Sequence, residues 1–302
     1  MTPTRRWGVA ALLVAGALFG STFLVVQDAI DQVAILPFLA VRFLIAGAVL
    51  WPIARRRPAS VGEVRHGMVA GGCLLAGFVL QTVGLRSIGA ATSAFITYLL
   101  VVLVPLIVAV RVRRLPTPAV VLGVLFAVAG LLALTGTGTS VLSGFGRGEL
   151  LTVASAFAFA LHLVVLASLS TRHDPVRLTL WQVLTVGGAC LVPGLFSGGY
   201  AFGAAPLGAA VFCGLAATAA AFFLMAWGQR VVPASQAALI LLAEPVSAAV
   251  LGEVLGEHLG LRGVFGAALI LVAVTVAELG DRRPPVPGAE LALPNLSPGP
   301  PG

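Results

Sequence analysis

Residues 228–245 read GQRVVPASQAALILLAEP, and the apolar run around them continues from Val231 to Leu255. That run is long enough to cross a bilayer, yet it carries Glu244 and Pro245 near its middle. A charged group at such depth costs roughly 3 kcal/mol or more, so it must face protein or a water-filled cavity. Proline lacks the backbone donor that continues a helix, so Glu244-Pro245 predicts a bent or locally opened helix. The stretch also has a partner. Shifted back by roughly 144 positions, Gly84, Arg86, Ala90, Ala94 and Ile96 fall on Gly228, Arg230, Ala234, Ala238 and Ile240. The chain reads as two copies of one unit.

Composition agrees with lipid as the solvent. Of 302 residues, 59% are hydrophobic and 10% charged, with a mean hydropathy of +1.06. A soluble domain is about a quarter charged, so this chain cannot cover a globule with polar surface. The basic excess is all arginine, without one lysine. Those arginines sit in separate short loops and not along one face, which argues against a nucleic-acid partner. Cys73, Cys190 and Cys213 lie inside apolar spans without metal-ligand spacing, and read as small packing residues.

Ten apolar windows of about 20 residues, each long enough for a ~30 Å hydrocarbon core, run over 7–27, 34–54, 66–85, 90–110, 116–135, 149–169, 178–197, 206–228, 233–255 and 261–279. Arg5-Arg6, the apolar run after it and Ala15-x-Ala17 have a signal-peptide outline. However, Leu24-Val25-Val26 recurs as Leu163-Val164-Val165, so the first segment is a repeat member and is expected to be retained. With the N-terminus inside, cytoplasmic segments hold Arg5, Arg6, Arg55, Arg56, Arg57, Arg65, Arg111, Arg113, Arg114, Arg172, Arg177, Arg230, Arg282 and Arg283, whereas outer loops hold Arg86, Arg147 and Arg262. The arginine bias therefore places both termini in the cytoplasm. Gly47-Ala48, Leu50 and Pro52 match Gly188-Ala189, Leu191 and Pro193. Five spans per copy is an odd number, so the second copy is expected upside down. The first loop, with Asp28 and Asp31, has no arginine, and its counterpart carries Arg172 and Arg177. Repeats so arranged place a substrate site near mid-membrane and support alternating access.

The runs Phe19-Gly20-Ser21-Thr22-Phe23 and Pro37-Phe38-Leu39-Ala40-Val41-Arg42-Phe43 resemble the opening of EamA-type permeases of the drug/metabolite transporter superfamily. So do Gln81-Thr82-Val83-Gly84-Leu85, Ala94-Phe95-Ile96-Thr97, Val102-Leu103-Val104-Pro105-Leu106, Gly148-Glu149-Leu150-Leu151 and Ala243-Glu244-Pro245-Val246. The resemblance runs to about Leu279 and implies ten helices around a central cavity lined mainly by helices 1, 3, 4, 6, 8 and 9. It leaves the substrate open, since members move amino acids, metabolites and drugs. The small multidrug members use a glutamate in their first helix. Helix 1 here has no acid, so that proton mechanism does not carry over.

Polar and aromatic residues in the apolar spans are the candidate site. Glu244 either binds a proton or a cationic solute, or caps backbone freed by Pro245. Arg42, some way into the second span, either binds an anionic group, pairs with an acid or anchors the helix end. Ser155, Phe159 and His162 share one helical face. His162 either contacts substrate or is a hydrogen-bonded packing group. Phe95 and Tyr98, with Thr97 beside them, and Phe223 and Trp227 would form aromatic walls for an amphipathic solute, or simply pack. Ser21, Thr22, Gln81 and Gln236 either line the cavity or bond neighbouring helices. The pairs Gly16/Gly20 and Gly67/Gly71 indicate closely packed helices.

The expected fold is thus an all-α integral membrane protein, with ten transmembrane helices as two inverted five-helix repeats around a central cavity. The first repeat covers 1–140, the second 141–280, and 281–302 is a disordered cytoplasmic tail. The expected function is secondary transport, by export or exchange, of small organic metabolites, amino acids or drugs across the inner membrane. Without an ATP-binding loop, energy comes from a gradient or exchange, so a proton or counter-solute is the coupling partner and no cofactor is expected. Two alternatives stand against this reading. An intramembrane enzyme needs a nucleophile and base or a ligand cluster, and a channel needs a repeated polar lining. The sequence offers neither pattern.

Overall fold

Inside a bilayer, backbone N–H and C=O groups have no water to bond, so a spanning chain must satisfy them within its own helices. The computed structural model is helical along its long apolar stretches. It describes residues 4–22, 25–26, 29, 32–56, 58–85, 87–88, 90–135, 146–254 and 260–280, and these contain helices and turns but no strands. Asp28, Asp31, Arg57, Arg86 and the tail 281–302 lie outside the described residues.

Helices α1 (Arg5–Ser21), α2 (Ile35–Ala54) and α3 (Val61–Leu85) are followed by a broken pair, α4 (Ala90–Tyr98) and α5 (Leu100–Val112), and then by α6 (Pro118–Thr135). Next come α7 (Arg147–Ser170), α8 (Pro175–Phe196), and α9 (Ala204–Cys213), which continues through a π-helical stretch, Gly214–Ala220, into α10 (Ala221–Gly228). A second broken pair, α11 (Ala234–Ile240) and α12 (Ala243–Val254), precedes α13 (Gly260–Gly280). Among the described residues, eight stretches are long and apolar enough to cross a membrane: 35–54, 61–84, 92–112, 147–170, 175–196, 204–228, 234–254 and 260–277. The shorter apolar helix 118–134 is packed among them.

Local chemistry sets the helix ends. Glu63 closes a capping box with Ser60 (N–H to carboxylate 3.2 Å, N–H to hydroxyl 3.1 Å), satisfying donors that a first turn leaves free. Asp174 accepts from Val176 and Arg177 N–H at 3.0 and 3.1 Å, with Pro175 in the first helical position where its missing N–H costs nothing. Glu149 accepts from the Gly146 N–H at 2.9 Å.

The break expected at Glu244-Pro245 falls elsewhere. Helix α11 ends at Ile240, Leu241 and Leu242 form a turn, and α12 starts at Ala243. Pro245 is thus in the first turn of a new helix, where its lack of a donor is harmless. The equivalent interruption in the first half is Leu99, between α4 and α5.

Packing pairs α2 with α8, and α6 with α13. It sets α3 against α7 and α8, α1 against α10 and α12, α2 against the π-helical stretch, and α5 against α7. Small residues permit these approaches. A β-carbon on Gly71 would stand 2.8 Å from the Gln182 carbonyl oxygen, and one on Gly214 would stand 2.8 Å from that of Arg42. Gly16 and Gly20 face Ala243, Glu244 and Ser247, so the first of the two glycine pairs seats α1 on α12. Gly67 and Gly71 seat α3 on α8 in the same way. Residues 41–50 and 181–190 carry the same sequence of buried, partly buried and exposed positions. This puts Gly47 level with Gly187, both buried, and not with the exposed Gly188. The burial pattern thus sets the two helices one residue apart from the pairing of Gly47-Ala48 with Gly188-Ala189 that identities give.

Candidate functional site

The two broken helices meet at a cavity of about 510 Å³ that draws its wall from both halves of the chain. A volume of that order holds a small organic molecule. In the first half the wall comes mainly from the C-terminal ends of α1 and α3 and the N-terminal ends of α2 and α4, at Thr22, Ile35, Phe38, Gln81, Ser93 and Ala94. The second half contributes mid-helix residues of α7, the α10 residues Phe222 and Met225, and the α11–α12 turn. Phe19, Phe78 and Phe159 complete an aromatic lining. Its rings pack edge to face, Phe19 on Phe222 at 5.2 Å and Phe78 on Phe159 at 5.4 Å between centroids.

Charge enters this apolar chamber from both halves of the chain. Arg42 is only 5% exposed and stays within the bundle without reaching for the membrane surface. Its Nε donates to Thr218 Oγ1 at 2.8 Å, and its guanidinium carbon lies 5.6 Å from the ring centres of both Phe43 and Phe78, within cation–π range. Thr218 is available because its helix is π-wound there. Its hydroxyl donates to the Cys213 carbonyl, five residues back, at 3.0 Å. Glu244 lies in the first turn of α12, and its side chain neighbours Tyr98, at the end of α4, on the cavity wall. The Glu244 side chain is thus directed at the other broken helix, while its own N–H is bonded to the Leu241 carbonyl at 2.9 Å. Arg42 and Glu244 lie on the wall of the same cavity and attract each other there. Arg42 is buried and Glu244 half-buried, which is tolerable because the two oppose each other and Arg42 is also hydrogen-bonded.

His162 supplies the other polar group. Its Nε2 is 2.7 Å from Gln182 Oε1, and Gln182 Nε2 donates to the Leu178 carbonyl at 3.1 Å. A carbonyl only accepts, so the amide nitrogen must face Leu178. The amide oxygen therefore faces the imidazole, and His162 carries its hydrogen on Nε2. Gln81 donates to Thr97 Oγ1 at 3.0 Å across the α3–α4 contact.

Of the residues singled out from sequence, Thr22, Arg42, Gln81, Thr97, Tyr98, Phe159, His162 and Glu244 line the cavity. Ser21, Phe95, Phe223, Trp227 and Gln236 do not. Ser21 is turned to the Leu18 carbonyl of its own last turn, at 2.9 Å. Phe95 packs in a second apolar cluster with Leu131 and Ile270, because the α4 face on the cavity is Ser93, Ala94, Thr97 and Tyr98. Gln236, in the first turn of α11, accepts from Arg5 Nη2 at 3.0 Å at one end of the bundle. Phe223 and Trp227 share a face, but the cavity takes Phe222 and Met225, on the adjacent one. The π-helical stretch just before them shifts the phase of α10, and no residue in Gly214–Ala220 announces it. Phe19, Phe38, Phe78 and Phe222 were not singled out. The signal available for them was position alone, since phenylalanines abound in every span.

Comparison with known proteins follows the same outline. The profile of a family described as "EamA-like transporter family" matches the chain twice, at residues 6–136 and 146–278. The sequence is similar to an "Uncharacterized transporter" of Archaeoglobus fulgidus, with 31% identity over 281 residues, 91% of this chain and 87% of that one. It is also similar to "Uncharacterized transporter YwfM" of Bacillus subtilis, with 32% identity over 139 residues, 45% of this chain and 47% of that one. A crystal structure with a TM-score of 0.77 and 22% identity covers 93% of this chain and 99% of its own, and shares the fold.

Proposed function

The chain belongs to the EamA-like transporter family, a multi-pass membrane protein, and from that premise we propose that it is a secondary transporter of small organic solutes. The cavity is the solute site, and the observation that carries this reading is the convergence of Arg42, Glu244 and Tyr98 on one aromatic chamber. A cavity of about 510 Å³ with few polar groups and one charge of each sign suits a compact solute with an apolar body and polar ends. Arg42 and Glu244 orient it, Thr22, Gln81 and His162 offer hydrogen bonds, and Phe78, Phe159 and Phe222 cover its apolar part.

The halves form two inverted five-helix units, 1–140 and 141–280, making ten spans with both termini in the cytoplasm of the inner membrane. Three observations support this. The family profile matches once per half. Packing partners are exchanged consistently between halves, as α3 on α7 answers α10 on α1, and α5 on α7 answers α12 on α1. The Gly71–Gln182 approach has its counterpart in Gly214–Arg42. Alternating access follows, with the cavity open by turns to each side and driven by a proton or a counter-solute. The test is transport of a panel of labelled amino acids, amines and organic acids in right-side-out and inside-out vesicles, with and without an imposed pH gradient. Accumulation of at least one solute that depends on Arg42 and Glu244 is expected. Transport of none, or transport indifferent to both residues, would remove the reading.

A further inference from the structure

At the end of the bundle away from the cavity wall of α1–α4, four polar side chains tie the halves together. Two arginine N–H groups of Arg177, at the start of α8, converge on Glu63 Oε1 at the start of α3, from Nε at 3.1 Å and Nη2 at 2.9 Å. The Asp174 N–H reaches the same oxygen at 3.4 Å. One turn along α3, His66 Nδ1 lies 2.8 Å from Nε2 of His173, in the α7–α8 connection, with ring centres 5.0 Å apart. Both imidazoles are half-buried. We propose that Glu63, His66, His173 and Arg177 form a latch that holds this end of the transporter closed and that protonation of the histidine pair releases it.

The proposal rests on the alternating-access reading above and adds its regulation. Every contact in the cluster joins the first half to the second, so a cavity opening at this end must break all of them. The His66–His173 bond needs one hydrogen-bearing and one bare nitrogen at 2.8 Å. It survives one added proton, which the pair shares, but not two, because two imidazolium N–H groups would then face each other. The other charges nearby are Arg65 beside His66 on α3, and Arg172 and Arg177 from the second half, opposed by Glu63. Asp174 is turned to its own helix end. Arg65 and Arg172 oppose added positive charge on His66, and Arg172 and Arg177 oppose it on His173. For His173, burial first, then His66, Arg172 and Arg177, hold the imidazole below the ordinary histidine range, against the pull of Glu63. A group so depressed supports the latched form at and above its free pKa, and that support is lost as pH falls through the latched pKa. Acid therefore opens the latch.

Spin labels on Val61→Cys and Thr171→Cys, both exposed beside the latch, in a protein lacking Cys73, Cys190 and Cys213, would report its width by electron–electron distance measurement in lipid nanodiscs. Labels on Gln32→Cys and Ser87→Cys, exposed at the other end, would report the cavity mouth. Between about pH 8 and about pH 5 the long-distance population at Val61/Thr171 should rise by roughly tenfold. The H66Q/H173Q variant should lose that response, and E63Q should show the long distance at both pH values. A Val61/Thr171 distribution that ignores pH, or the same response in H66Q/H173Q, would overturn the latch. If the mouth distance still changed on adding the amino acids, amines and organic acids of the transport panel, alternating access would stand without it. If neither pair of labels moved under any condition, both readings would fall.

Discussion

Arg42 and Gln182 occupy matching places in α2 and α8. The burial of the ten residues around each is the same, position for position. Each carbonyl is approached by a glycine of a neighbouring helix, Gly214 for Arg42 and Gly71 for Gln182. Their chemistry differs. Arg42 brings a buried charge to the cavity and depends on Thr218, two phenylalanine faces and the opposing Glu244. Gln182 is neutral, lies off the cavity wall, and fixes the hydrogen of His162. One scaffold position is therefore used twice, once to present a charge and once to orient a neighbour. The Arg42 charge has no counterpart at Gln182, so two positions with the same pattern of burial serve the site differently.

The largest expected effect breaks the charged side of that comparison. Arg42→Met leaves Glu244 buried without its counter-charge and should cost about 3 to 5 kcal/mol, seen as a lowered unfolding temperature and little folded protein in detergent. Gln182→Leu strands one donor of His162 and should cost about 1 to 3 kcal/mol. Equal losses would mean that the two positions are equivalent after all.

The scaffold side is tested by Gly71→Val and Gly214→Val. Both drive a side chain into a carbonyl 2.8 Å away, and overpacking of this kind costs about 1 to 3 kcal/mol. Similar losses of thermal stability are expected for the two. A large loss at one and none at the other would break the match between halves. Tyr98→Phe removes a hydroxyl from the cavity wall beside Glu244 and should cost about 0.5 to 1.5 kcal/mol, with transport reduced while the protein still folds. The smallest effect separates neighbouring aromatics. Phe222→Ala should slow transport several-fold more than Trp227→Ala, roughly as expected for a lost cavity contact, when both are compared per folded molecule. The reverse order would put Trp227 back at the site.

How much of this could be read from the sequence follows from how strongly each feature is constrained. Arg42, Tyr98, His162 and Glu244 were accessible because polar groups in lipid spans have few places to go, and all four line the cavity. Phe222 was missed by one residue because the π-helical stretch before it changes helical phase without a residue type that betrays it. Pro245 suggested a break, but the chain breaks four residues earlier, at Leu241, where nothing in the residue types marks it. The latch was invisible for another reason. His66 and His173 are 107 positions apart, and Arg177 counts towards orientation whether or not it pairs. Glu63 also had a sufficient local explanation in its capping box with Ser60.

The central claim is that Arg42 and Glu244 are kept in the cavity to bind solute and not merely to balance each other. Neutralising both together, as R42Q/E244Q, separates these roles, because replacing a buried pair as a whole is often close to neutral for stability. The direct measurement is the transport rate per folded molecule of this double variant in proteoliposomes, using whichever solute the vesicle panel identifies. The account predicts a folded protein whose transport has fallen by roughly tenfold or more, the loss of about one charge-assisted contact or greater. Transport at the parent rate by a stably folded R42Q/E244Q variant would contradict it and leave the pair as a structural tie.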